Sequence, residues 1–128
     1  MNEDFVTFEL AKKLKEKGFI GNVDIGQYGG YYYHDGEDID VCYDCVDNAD
    51  IAANEYLRPT ISQVLEWLRN DKKTFVVVFI DDDSDYPVTY NIFRETDCVH
   101  HHHGKYFALS EWSKCELAGI EHVIDNML

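Results

Sequence analysis

The chain has 128 residues, with 11 Lys plus Arg set against 25 Asp plus Glu, for a net charge of −14. A length near one domain's worth and 45% hydrophobic residues argue for a folded, core-forming chain and against intrinsic disorder. The acidic balance makes a nucleic-acid backbone a poor partner. The longest wholly apolar run, Phe75 to Ile80, falls far short of the ~18 residues of a membrane helix. Met1-Asn2-Glu3-Asp4 has neither the basic nor the apolar region of a signal peptide. The expectation is a single domain over residues 1–128, cytoplasmic, with Cys42, Cys45, Cys98 and Cys115 as free thiols.

Thr7 to Lys17 reads as the first helix. Thr7 suits the N-cap, Leu10, Ala11 and Leu14 supply an apolar stripe, and the lysines gather toward the C-terminal end. Gly18 fits a left-handed position after the helix, with Phe19 placed to fold back on Leu14. A hairpin follows over Tyr28 to Cys42, with arms Tyr31–His34 and Glu37–Cys42 and a two-residue turn on Asp35-Gly36. Its second arm alternates Ile39 and Val41 with Asp38 and Asp40. Asp44 to Arg58 has no clean period and reads as loop.

Pro59-Thr60-Ile61-Ser62-Gln63 opens a second helix, Thr60 and Gln63 forming a capping box and Ile61, Val64, Leu65 and Leu68 its buried stripe. Thr74 to Ile80 reads as a strand covered on both faces, Asp81 to Asp85 as an acidic turn, and Val88 to Arg94 as the return strand. Lys105 to Ala108 is a candidate third strand across a loop from Glu95 to Gly104. Ser110 is placed to cap a last helix reaching Asn126, in which Gly119 costs ~1 kcal/mol against Ala and therefore hints at close packing. Antiparallel neighbours covered by helices make the fold class α+β: a hairpin plus a two- or three-stranded meander, packed with about three helices.

Phe8-Glu9-Leu10-Ala11-Lys12-Lys13-Leu14-Lys15-Glu16-Lys17-Gly18-Phe19, Pro59 through Arg69, Tyr90-Asn91-Ile92-Phe93 and Glu116-Leu117-Ala118-Gly119-Ile120 occur here in that order. Together they resemble a group of small uncharacterised proteins of gut bacteria and their bacteriophages. The resemblance implies a phage or mobile-element accessory context. It carries no activity and no catalytic residue, because the matching pieces are helix stripes, a capping box and a strand.

Four constellations bear on chemistry. From Gly18 to Leu57 there are nine acidic residues and no Lys or Arg. One reading is a solvated face that keeps the chain soluble; the sharper one is a docking surface for a basic protein, including one whose groove normally holds nucleic acid. Tyr31, Tyr33, Asp38, Asp40, Asp44 and Asp47 are the contact residues expected, since tyrosine offers rigid area beside the carboxylates. The second constellation is Cys42-x-x-Cys45 with Cys98 and His100, a candidate zinc set with an irregular second pair. The third, His100 to His103, is an internal histidine run that reads as a loop able to hold a metal adventitiously. The fourth, Asp81, Asp83 and Asp85, imitates half of an EF-hand but has Tyr86 where glycine belongs and Ile92 where the closing glutamate belongs. His34 beside Asp38 and Asp40 is a further acid/base candidate. No phosphate loop, Gly-x-Ser-x-Gly or His-Glu-x-x-His motif is present. The expected function is non-enzymatic docking on a basic partner, without direct nucleic-acid or membrane binding; a zinc-binding protein is the alternative.

Overall fold

The computed structural model describes residues 5–19, 31–35, 38–42, 55–81, 85–102 and 106–128, and among these the fold is α+β. The order is α1 (Phe8–Glu16), β1 (Tyr31–Asp35), β2 (Asp38–Cys42), β3 (Glu55–Leu57), α2 (Ile61–Asp71), β4 (Thr74–Ile80), β5 (Val88–Arg94), β6 (Asp97–His101) and α3 (Trp112–Asn126). Two three-stranded antiparallel sheets result, ordered β2-β1-β3 and β4-β5-β6. The chain divides into two compact units, Met1–Gln63 and Val64–Leu128. No described helix is long and apolar enough to cross a membrane.

In the first unit α1 begins and ends as its residues dictate. The Thr7 hydroxyl accepts from the Leu10 N–H at 3.2 Å. At the other end Gly18 takes φ +84°, and the Phe19 N–H donates to the Leu14 carbonyl at 2.9 Å while the Gly18 N–H donates to the Lys15 carbonyl at 3.3 Å. That pair of bonds is a Schellman motif, and it leaves both Phe19 and Leu14 buried. Val6, Leu10, Ala11, Leu57, Pro59 and Ile61 are also buried among the described residues of this unit. Phe8 meets Tyr56 of β3 edge-on at 5.5 Å, and the Lys15 ammonium sits 4.9 Å from the Tyr56 ring centroid.

The hairpin differs from expectation in register. Asp35 pairs with Asp38, so the connection falls on residues 36–37 and not on Asp35-Gly36. Sliding by two residues in this way preserves the faces, because side-chain direction repeats every second residue. Residues 55–57, expected as loop, form β3 on the free side of β1, with Tyr31 opposite Leu57 and Tyr33 opposite Glu55. A three-residue strand is too short to show a period, so pairing alone defines it.

The capping box at the start of α2 forms as expected. The Thr60 N–H donates to Gln63 Oε1 at 2.8 Å and the Gln63 N–H to Thr60 Oγ1 at 3.2 Å. Val64, Trp67 and Leu68 are buried.

In the second unit β4 is covered on one face only, which corrects the expectation of burial on both: Val77 is 42% exposed. Helix α3 packs on the face made by Val76, Val78, Val88, Tyr90 and Ile92, and a Cβ on Gly119 would overlap Val76 Cγ1 and lie 3.3 Å from the Tyr90 ring. Gly119 is thus a close-approach glycine, as its cost in a helix suggested. The third strand is not Lys105 to Ala108. The chain turns at Glu95-Thr96 and returns at once as β6, while Phe107 makes only an isolated bridge to Val88. That turn was hidden because Glu95 adopts φ 57°, a conformation usually signalled by Gly or Asn. Ser110 does not cap α3 either. It lies in a 3-10 turn, Leu109–Glu111, where the Glu111 carboxylate accepts from the Ala108 N–H at 3.0 Å.

Candidate functional sites on two sheets

The first sheet carries the acidic positions. Register puts residues 31, 33, 38 and 40 on one face of the ladder, with Glu55, Tyr33 and Asp40 forming one cross-strand row and Leu57, Tyr31 and Cys42 the next. The opposite face holds positions 32, 34, 39, 41 and 56, the last being the tyrosine that meets α1. By register His34 is a position on the other face from Asp38 and Asp40, which speaks against the acid/base candidate there. Asp35 stands directly opposite Asp38. Asp44 and Asp47 lie outside the described residues, as do Cys45, His103 and Asp83.

The second sheet has one face beneath α3 and one largely open, on which Val77, Cys98 and His101 are exposed while Thr89 is buried. Three rows cross the open face: Phe75, Phe93 and Cys98; Val77, Asn91 and His101; Phe79 and Thr89. A bulge in β6 builds this arrangement. Residues three apart on a regular strand point to opposite faces, yet here Ile92 pairs with His100 and Phe93 with Cys98, leaving Val99 as the extra residue. Cys98 and His101 consequently share the open face.

Their contact is direct. Cys98 Sγ lies 3.5 Å from His101 Nε2 and 3.7 Å from Nδ1, so the sulfur sits over the ring and not in line with either nitrogen. His101 Nδ1 is 3.0 Å from Asn91 Oδ1. An amide oxygen only accepts, so Nδ1 carries the proton and Nε2 is left with its lone pair. Cys98 and His101 are exposed and Asn91 is half-buried. Beside them lies an open cavity of about 410 Å³ lined by Phe79, Asp81, Thr89, Asn91, His101, His102 and Tyr106. The Tyr106 hydroxyl donates to Asp81 Oδ2 at 2.9 Å, and Thr89 Oγ1 lies 3.0 Å from His102 Nδ1.

The zinc set expected from sequence is not assembled among the described residues. Cys98 is not joined by His100, whose ring turns to the α3 side and stacks on His122 at 3.8 Å between centroids. Cys42 ends β2, and no group of three or more His, Cys, Asp or Glu suited to a metal occurs among the described residues. The fourth cysteine, Cys115, is buried in α3 and free. Burial, helped by the Glu116 carboxylate, pushes its thiol up to about 11, so it is inert at neutral pH.

Asn91 was missed as a site residue, and His101 was singled out only within the His100 to His103 run, as part of a metal-holding loop. Spacings of seven and three residues match no catalytic motif, and only counting through the bulged hairpin would have brought them together. Compared with known protein families, curated proteins and solved structures, the chain matches none.

Proposed function

We infer that the protein works in the cytoplasm as a phage or mobile-element accessory protein that docks on a basic partner protein through the acidic, tyrosine-bearing face of its first sheet. The observation that supports this is the row Glu55–Tyr33–Asp40, which flanks one aromatic position with a carboxylate residue on each side. Opposed Asp35 and Asp38 add to it, since like charges across an antiparallel pair are unfavourable until a cation comes between them. Docking of this kind uses electrostatic steering and a rigid aromatic anchor and requires no catalysis.

The test is salt-dependent binding to a partner identified by cross-linking and capture. With Asp38 and Asp40 both changed to Asn, affinity at low salt falls about tenfold, at roughly 0.7 kcal/mol per charge. A variant carrying Asp38→Asn, Asp40→Asn and Asp44→Asn that binds the same partner as tightly as the parent protein sinks the reading.

A further inference from the structure

We propose that Cys98, His101 and Asn91 form a nucleophilic thiol site for acyl transfer, taking its acyl group from an ester or thioester with an apolar acyl chain. Docking through the first sheet neither needs nor excludes this chemistry.

The three groups stand in the order such a reaction requires: nucleophile, base, and a group that orients the base. Asn91 Oδ1, 3.0 Å from His101 Nδ1, sets the tautomer and leaves Nε2 to receive a proton. The Sγ to Nε2 separation of 3.5 Å is within reach of a thiol hydrogen bond. The sulfur lies over the ring and donates to the His100 carbonyl at 3.6 Å, so the thiol reaches Nε2 in line by swinging about its own Cα–Cβ bond to another staggered rotamer while Asn91 holds the ring. Contacts of this kind are often loose before substrate arrives. All three residues sit on paired strands, and the β6 bulge is what sets Cys98 and His101 on one face.

The surroundings select the substrate. Phe93 and Phe75 continue the row that begins at Cys98, so an apolar acyl chain bound to sulfur would lie along two aromatic residues. The cavity shares Asn91 and His101 with the site and adds Asp81, Tyr106, Thr89 and His102, a polar recess for the leaving group.

The step balances without a redox partner. Sγ attacks the carbonyl carbon and gives its proton to His101 Nε2. The S–C bond forms, the ester C–O bond breaks, and the proton passes from Nε2 to the departing oxygen. Water attacking the S-acyl cysteine, with its proton taken by the same nitrogen, returns the thiol and releases a carboxylic acid.

The probe is p-nitrophenyl butyrate at neutral pH, read by nitrophenolate release and by mass mapping of the butyrylated peptide. Butyryl is expected on Cys98 and not on Cys115, which serves as an internal control. Cys98→Ser abolishes the labelled peptide. His101→Ala and His101→Gln each slow labelling by about 10²-fold, the usual contribution of a positioned base. Asn91→Leu slows it as well, whereas Asn91→Asp, which keeps an acceptor oxygen for Nδ1, restores most of the rate. Equal labelling of Cys98 in the parent protein and in both His101 variants overturns the proposal, and so does butyryl confined to lysines or to other histidines.

Discussion

Cys115 shows how burial sets the chemistry of a thiol. Cys115 is fully buried beneath the second sheet, and desolvation followed by the Glu116 carboxylate raises its thiol from 9.0 to about 11. A raised acid favours the protonated form in the folded state. Its contribution to stability is therefore complete below the unfolded value near 9.0 and is lost as pH rises to about 11. Tyr90, raised by burial and by its neighbours Cys115 and Glu121, acts in the same direction. Urea midpoints measured across that range should fall more steeply for the parent protein than for Cys115→Val, in which only the tyrosine remains. Parallel curves would show that the thiol stays neutral for no energetic reason. A second residue-scale prediction concerns Glu95, held at φ 57° at the first position of the β5–β6 turn. Left-handed backbone costs an ordinary residue roughly 1–2 kcal/mol, so Glu95→Gly should raise stability, less the entropy glycine brings to the unfolded chain, by up to about 1 kcal/mol. Chemical denaturation checks it; a loss of stability would mean that the Glu95 side chain contributes more than its strain costs.

Elements whose ends carry local chemistry were legible in the sequence, and elements defined by pairing were not. Thr7 and Gly18 bracket α1, and the Thr60–Gln63 box opens α2, because each bond involves residues within a turn of one another. The apolar runs of β4 and β5 were equally plain. By contrast β3 and β6 exist through their neighbours: Glu55–Leu57 has no period of its own, and the histidines of β6 carry a polar signature that reads as loop. The candidate thiol site was illegible for the same reason, since a bulge changes which residues share a face and leaves no mark in composition. Gly119 was the exception, a long-range contact signalled by a local cost. Its replacement tests the contact directly. Gly119→Ala improves the intrinsic helix by ~1 kcal/mol, but the new methyl overlaps Val76, a β-branched side chain with little freedom to turn. Overpacking of this kind costs about 1–3 kcal/mol, so the net change in a denaturation experiment should be destabilising. A stabilised variant would mean that α3 can move away from β4 at no cost.

For the molecule as a whole, a net charge of −14 acts on stability and on docking with opposite signs. In the free chain the carboxylates repel one another, most of all in the stretch from Gly18 to Leu57, where nine acidic residues have no Lys or Arg among them. Salt at ~0.15 M shortens the Debye length to about 8 Å and removes much of that repulsion. The same salt weakens attractive pairs such as Glu111 with Lys114 at 3.3 Å, which is largely exposed and worth little, but acidic residues outnumber Lys plus Arg by fourteen. Repulsion therefore decides the sign, and the melting temperature should rise on adding salt, by about 3–5 °C for each kcal/mol recovered. Binding of a basic partner should weaken over the same range, because screening removes the attraction that steers it. Replacing Asp38 and Asp40 by Asn should imitate the salt in both measurements, with a higher melting temperature and a lower affinity. If the variant melts higher yet binds unchanged, the acidic face is only a source of strain and solubility, and the docking surface lies elsewhere.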